Sequence, residues 1–376
     1  MAKICLITAN SSTFGLLTGN PSTNVGGAEL QQSLIAQALS AAGHEVSFLV
    51  HDFGQPDIMT NDAGVRLIKT FGLRDAGFLL KHVKPLRLFY GLERAESEIY
   101  YQRCSGFITG LAALWCKIRG RKFVFAAASD WDVDGTRERR MNPVFRVLYR
   151  YGVRSADEVL TQTERQKELV ENRFKRSCRI IRNMYPMPPD DDSPRDYILW
   201  VSQFFRIKRP EMFLEIARRM PEQKFVMVGG PANGEEHIYE ETVEASRDIP
   251  NLTITGALPY AEAIDMYRCA IAFVNTSIVE GFPNTYLDAL SRRVPVVATF
   301  DPDEIICRHG LGFHCSSVEE MVSALKKLVE DEGMRGRMGE SGRNYVKANH
   351  DIQYVGLEYD RLIKELMAGG SKEAGH

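Results

Sequence analysis

The sequence predicts an α/β protein built from two doubly wound, Rossmann-like parallel-sheet domains. Three observations carry that expectation. Short apolar runs alternate with segments of helical period along most of the chain, which is the pattern of βαβ units. At 376 residues the chain exceeds one ordinary domain of about 150 residues. The alternation breaks at "NMYPMPPDDDSPRD", where Pro186, Pro188, Pro189 and Pro194 combine with Asp190, Asp191 and Asp192; this stretch suits neither a helix interior nor a central strand and reads as an exposed linker.

Taken in order, "KICLIT" is the first strand. A long loop follows, then the helix "AELQQSLIAQALSAAGH", in which Leu30, Leu34, Ala38 and Leu39 recur at helical spacing and Gly43 is the stop. "EVSFLV" is the second strand, completing a right-handed βαβ unit. Further strands are expected at "EIYYQR", "KFVFAA", "DEVLTQ" and "CRIIRN", with helices over 106–119 and 164–172. Past the linker the pattern restarts with strand "YILWVS", helix "PEMFLEIARRM" and strands "KFVMVG" and "LTITG". Helix "YAEAIDMYRC", strand "AIAFVN", a further helix and strand "VPVVAT" follow. The final third of this half is helical by period through "VEEMVSALKKLVED" and "YVGLEYDRLIKELM", and the tail "GGSKEAGH" reads as frayed.

Composition narrows the function classes. Apolar residues make up 44% and charged residues 26%, so there is material for sizeable cores and no case for disorder. A net charge of −2 argues against nucleic acid as the main partner. Seven scattered cysteines without paired spacing suggest small core residues in a reducing compartment. "MAKICLIT" enters a strand directly and no apolar run approaches the ~20 residues of a membrane span, so a cytoplasmic location is expected. One local asymmetry stands out between Arg66 and Arg94. There Arg66, Lys69, Arg74, Lys81, Lys84, Arg87 and Arg94 interleave with Phe71, Phe78, Leu86, Leu88, Phe89 and Tyr90, suggesting either an ordinary helical surface or peripheral contact with an anionic membrane or lipid-linked acceptor.

In open parallel sheets ligands bind beyond the carboxyl ends of the strands. "VEGFPNTYLDAL" leaves the strand "AIAFVN" at such an edge: Gly281, Phe282 and Pro283 lead into a helix whose first amides, near Asn284 and Thr285, favour an anion. Glu280 is placed to bind hydroxyls, and Asp288, eight positions later, to reach a second polyol. As lone carboxylates each would more often be a solvated loop acid or a favourable early-helix charge. "FRIKRP" puts Arg206, Lys208 and Arg209 after the strand "YILWVS", where a lysine can neutralise a diphosphate as a point charge and an arginine can clamp it with two donors. Gly26 and Gly27 at the start of the first long helix would let backbone amides approach a phosphate or sugar. In "SDWDVDG", Asp130, Asp132 and Asp134 alternate, but no closing Glu follows, and no metal is expected.

These strings together resemble the large group of retaining glycosyltransferases with the GT-B fold, often called group 1 or family 4. "EGFPNTYLDALSRRVPVV" resembles their nucleotide-sugar signature, a Glu, seven residues and a second Glu. "NVGGAEL" resembles the N-terminal glycine loop, "WVSQFFRIKRPEMFLEIA" the phosphate-binding segment, and "KFVMVGG" and "LTITGALPYAEAIDMY" the elements beside the base. The resemblance covers nearly the whole chain and departs from the family at three places. Ser202-Gln203 stands where Gly-Arg is usual, Asp288 replaces the second Glu, and "SDWDVDG" stands where many members have a histidine.

The resemblance implies residues 1–185 as an acceptor domain, 186–196 as linker, 197–350 as the donor domain, and 351–370 as a helix crossing back to the first, with a cleft between the two domains. It implies retaining transfer of a sugar from a UDP- or GDP-sugar to a hydroxyl acceptor, a glycan or lipid-linked precursor, without a prosthetic group or metal. Lys208 and Arg206 would neutralise the leaving diphosphate, Glu280 would orient the sugar, Asp288 the ribose, and Asp130 or Asp134 would contact sugar or acceptor. Gly229, Gly230 and Leu258 would flank the nucleotide. The alternatives are a non-catalytic sugar-nucleotide-binding subunit of a partner transferase and a sugar-nucleotide epimerase.

Overall fold

The computed structural model describes residues 1–7, 12–19, 25–72 and 84–370. The chain divides into two compact units, passing from the first to the second between Met184 and Tyr185 and returning between Asp351 and Ile352.

The first unit contains β1 (Lys3–Ile7), α1 (Ser12–Leu17), α2 (Gly27–Ala41), β2 (Glu45–Asp52), β3 (Ile58–Thr60), β4 (Arg66–Gly72), α3 (Lys84–Ala95), β5 (Ile99–Arg103), α4 (Phe107–Arg119) and β6 (Lys122–Ala126). It continues with α5 (Asp130–Val133), α6 (Thr136–Arg140), α7 (Pro143–Ser155), β7 (Glu158–Thr161), α8 (Glu164–Phe174) and β8 (Arg179–Ile180). The second unit contains β9 (Tyr197–Val201), α9 (Pro210–Arg219), β10 (Lys224–Val228), α10 (Glu236–Ala245), β11 (Leu252–Ile254), α11 (Tyr260–Asp265) and β12 (Ala270–Asn275). Then come α12 (Asn284–Ser291), β13 (Val296–Ala298), α13 (Ile305–His309), β14 (Gly312–His314), α14 (Val318–Glu330) and α15 (Glu332–Asn349); α16 (Ile352–Gly370) belongs to the first unit.

The first sheet has eight strands in the order β3-β4-β2-β1-β5-β6-β7-β8, parallel except for the antiparallel β3–β4 pair at its edge. The second has six parallel strands in the order β11-β10-β9-β12-β13-β14. Both are buried on two faces, which is why their strands read as continuous apolar runs rather than as alternating ones. Along β1, Ile4 and Leu6 enter the core shared with α2 and α16, while Cys5 and Ile7 enter the core shared with α3, α4, α7 and α8. Along β9, Ile198 and Trp200 face the core with α9 and α14, and Leu199 faces the core with α12 and α15. Period-two alternation therefore distributes each strand between two cores instead of between core and water.

The stretch 66–94 is divided among several elements: 66–72 forms β4, whose Leu67 and Ile68 are buried on opposite sheet faces, 73–83 lies outside the described residues, and 84–94 lies in α3. Its described cations are largely committed, Lys69 to Asp57 at 3.2 Å and Arg94 to Asp57 at 3.4 Å, while Arg66 donates to the Arg94 carbonyl. Ser129 caps α5 by accepting from the Trp131 amide, in a capping box with Asp132, and starts three consecutive helices. Among the described residues no helix is long and apolar enough to cross a membrane, and all seven cysteines are free, with Cys307 the exposed one.

Candidate functional site

In the second unit the functional side chains cluster at the carboxyl ends of β9, β12 and β13. Because β9 pairs directly with β12 and β12 with β13, the loops that leave them lie side by side. The β9 loop passes through a single 3₁₀ turn, Arg206–Lys208, before Pro210 opens α9. It is pinned to the β12 loop by the Ile278 amide, which donates to the Ile207 carbonyl at 2.9 Å.

Arg209 acts as the clasp. It adopts the left-handed backbone region at φ 46°, and its guanidinium donates to the Thr276 carbonyl at 2.7 Å and to Thr299 Oγ1 at 2.6 Å. Thr299 Oγ1 in turn donates to the Ser277 carbonyl at 2.9 Å, and Trp200 Nε1 to Thr276 Oγ1 at 3.1 Å. Three strand ends are thereby tied together beneath the candidate site.

On this base Lys208 Nζ meets Glu280 Oε1, and Ser277 Oγ donates to the same oxygen at 2.7 Å. Both charged side chains retain some exposure, 18% for Lys208 and 17% for Glu280. Gly281, Phe282 and Pro283 carry the chain from Glu280 to α12, where Pro283 is the N-cap and the first turn holds no acidic residue. Phe282 is buried against the His350 ring at 4.6 Å between centroids, which fixes the loop from below. A lysine, a carboxylate, a hydroxyl and a helix N-terminus led by Asn284 and Thr285 thus occupy one sheet edge, a combination able to hold an anion together with neighbouring hydroxyls.

The other expected residues lie differently. Arg206 does not join Lys208: its amide donates to Glu235 at 2.6 Å and its guanidinium lies 3.5 Å from His237, so the turn directs its two cations toward the loops on either side of β9. Asp288 is buried, accepts a hydrogen bond from the Tyr185 hydroxyl at 2.8 Å, and has Arg292 one turn on, donating to that same hydroxyl at 2.8 Å. Burial pushes the Asp288 carboxyl up to about 6, with the Tyr185 hydrogen bond and the Arg292 charge pulling the other way. Burial likewise raises the Tyr185 phenol, and the neighbouring Asp288 charge adds to the effect.

Gly229 has φ 150°, and a Cβ there would lie 1.8 Å from the Ser202 carbonyl; a Cβ on Gly230 would lie 2.8 Å from that of Ala257. These glycines let the loops after β9, β10 and β11 approach one another. Leu258 packs on the α12 side of the sheet.

In the first unit, Gly26 is the extended N-cap of α2 and Gly27 its first residue; a Cβ on Gly26 would fall 2.1 Å from Glu29 Oε2. Asp130 is buried and joins α5 to α8, through Arg165 at 2.9 Å and Gln166 at 3.1 Å. Burial raises its carboxyl, while those two partners oppose the shift. Asp132 accepts from the Ser105 amide and hydroxyl, Ala128 and Ser129 and pairs with Arg137; Asp134 caps the Thr136 amide at 2.6 Å. The three aspartates serve three separate loop networks.

Sequence reading missed Ser277, Thr276, Thr299 and the Tyr185–Arg292 pair. Arg292 had a local signal, four residues after Asp288 on one helix face; Tyr185 had none, being 103 positions away.

Comparison with known proteins adds independent findings. Residues 188–345 match the model of a family described as glycosyl transferases group 1, and residues 26–183 match a glycosyl transferase 4-like domain. A curated relative, glycosyltransferase 1 domain-containing protein 1 of Xenopus tropicalis, is 25% identical over 173 residues, covering 44% of this chain and 49% of the relative. The chain spans about half the length of the first curated relatives it matches. Among solved structures, sucrose-phosphate synthase of Thermosynechococcus elongatus superposes with a TM-score of 0.79 at 16% identity, covering 98% of this chain and 100% of that one. Anabaena HepE, solved in complex with UDP and glucose, gives a TM-score of 0.71 at 14% identity, covering 97% and 100%.

Proposed function

The chain belongs to the group 1 glycosyltransferases and has the GT-B fold, and on that premise we propose that it moves a sugar, with retention of anomeric configuration, from a nucleoside diphosphate sugar to a hydroxyl acceptor. What supports this reading most is the meeting of Lys208, Glu280 and Ser277 at the strand edge from which α12 begins.

In the proposed reaction the bond from the anomeric carbon to the diphosphate breaks, and a bond from the acceptor oxygen forms on the same face. The acceptor proton passes to the departing diphosphate oxygen. The protein supplies no nucleophile; it positions the reactants and stabilises developing charge. Lys208 neutralises the leaving diphosphate and exchanges part of its contact with Glu280 for the phosphate oxygens. The α12 amides near Asn284 and Thr285 add fixed donors, so no divalent metal is needed for donor binding. Glu280 orients the sugar hydroxyls and Asp288 the ribose, with Gly229, Gly230 and Leu258 beside the nucleotide. Arg206 is assigned a longer-range electrostatic part, and Gly26, Gly27 and Asp130 remain candidates on the acceptor unit. HepE's complex with UDP and glucose supports the donor class, with the base left to experiment.

The test is a thermal-shift screen against UDP-, GDP- and ADP-sugars, followed by turnover with the stabilising donor and determination of the product anomer. A specific donor stabilises by mass action, about 2.7 kcal/mol at a hundredfold excess over Kd. Lys208→Ala and Glu280→Ala should each lose at least ~100-fold in turnover. Activity within about threefold of wild type in either variant contradicts the assignment, being far below the loss expected for an electrostatic catalytic contact. Donor binding by the wild type without turnover against any acceptor would favour the non-catalytic subunit, a reading that Ser202-Gln203 in place of Gly-Arg keeps in play.

A further inference from the structure

Beyond the donor site, the second unit gathers three metal-ligating side chains of different chemistry. Asp301, Cys307 and His314 place a carboxylate oxygen, a thiol sulfur and an imidazole nitrogen within 4.8 Å of one another. All three come from one tight crossover, in which β13 leads through α13 to the edge strand β14. Asp301 stands before the helix and holds its start, accepting from the Ile306 amide at 2.8 Å and the Cys307 amide at 3.2 Å. Cys307 lies within the helix, and His314 pairs in register with Ala298 at the end of the last strand. The crossover turns through two consecutive left-handed residues, Asp303 at φ 51° and Glu304 at φ 59°, an uncommon conformation for side chains other than glycine.

We propose that Asp301, Cys307 and His314 form a binding site for a borderline divalent metal ion such as Zn²⁺. Sulfur, nitrogen and oxygen in one set select this class of ion over Mg²⁺ or Ca²⁺, which take oxygen ligands. Three protein ligands leave one tetrahedral position for water. Cys307 and His314 are exposed and Asp301 is half-buried, so their side chains can close around an ion without moving the core. The ion would clip the short α13 crossover to the sheet edge and stands apart from sugar transfer, which uses Lys208 and Glu280. Sequence spacing concealed the site, because the ligands follow no paired-cysteine or paired-histidine pattern.

The full chain, metal-stripped and free of any affinity tag, is titrated with Zn²⁺ against a chromophoric chelator. In parallel, alkylation of Cys307 is followed by peptide mass spectrometry with Zn²⁺, with Mg²⁺ and without either. The expected results are one Zn²⁺ site per chain, Cys307 alkylation slowed at least about tenfold by Zn²⁺ and unaffected by Mg²⁺, and at least about tenfold weaker binding in Cys307→Ser and in His314→Ala. His314 is on the surface, so its variant tests the site even if the others fold poorly, and Asp301→Asn keeps an acceptor for the Ile306 amide. Unchanged alkylation of Cys307 under Zn²⁺, or wild-type affinity in His314→Ala, overturns the proposal.

Discussion

At the residue scale the buried carboxyl of Asp288 gives the sharpest physical consequence. Inside the fold it holds its proton up to about 6, well above the 3.8 of an ordinary aspartate, because burial penalises the charged form more than Tyr185 and Arg292 favour it. Between those two values the folded chain binds more protons than the unfolded one. The group's contribution to stability therefore falls as pH rises through that window and stays reduced above it, by an amount on the order of 3 kcal/mol. Asp288→Asn keeps an acceptor for the Tyr185 hydroxyl and cannot ionise. Its melting temperature should match wild type near about pH 4 and exceed it by several degrees near about pH 7.5. A difference between the two proteins that is the same at both pH values would show that Asp288 does not titrate in this way. If Asp288 also binds the ribose, the same variant weakens donor binding while it stabilises the apoprotein, a trade often found where a polar group is buried for function.

At the element scale the packing of α4 on α7 depends on glycine. A Cβ on Gly110 would lie 2.1 Å from the Leu148 carbonyl oxygen, and one on Gly152 would lie 2.7 Å from the Thr109 carbonyl oxygen, so the two helices approach through backbone contact. Helix propensity alone predicts that Gly110→Ala gains about 1 kcal/mol. The contact predicts the opposite, a loss of about 1 to 3 kcal/mol as the helices are forced apart. Urea unfolding of the variant decides between them by its sign, and a stabilised protein would refute the close approach.

These two helices also show what could be read in advance. The segment 106–119 was legible because its apolar residues recur at helical spacing and Gly120 stops it in the left-handed region. The segment forming α7 was not, because Val144 and Val147 are each 66% exposed while Arg146, Arg150 and Arg154 interrupt the run, so its buried stripe is short. The α5 start carried a local signal, Ser129 followed three residues on by Asp132, a pattern of the capping-box kind. The Lys208 and Glu280 cluster was legible from the rule that parallel sheets bind ligands at their carboxyl edge. The clasp of Arg209, Thr276 and Thr299 was not, since it spans loops whose adjacency only the strand order reveals.

At the scale of the whole molecule, both parallel sheets were foreseeable from alternation, whereas the discontinuity of the first unit is not encoded in local pattern and was expected as what the family resemblance implies, a helix over 351–370 returning to the first domain. Val355, Tyr359, Leu362 and Ile363 of α16 enter the same core as Ile4, Ile35 and Phe48, and His44 pairs with Asp360 at 2.9 Å. The first unit therefore completes its core only with the last stretch of chain, whereas the second closes within residues 185–351. The function proposed here rests on that second unit binding a pyrophosphate at the Lys208 edge. The most direct measurement is a calorimetric titration of the wild type and Lys208→Ala with the preferred nucleoside diphosphate and with the corresponding nucleoside. Lys208→Ala should weaken the diphosphate at least about tenfold, as expected for loss of a charge-assisted contact, and leave the nucleoside unchanged. Equal affinity of both proteins for the diphosphate would contradict the proposed function.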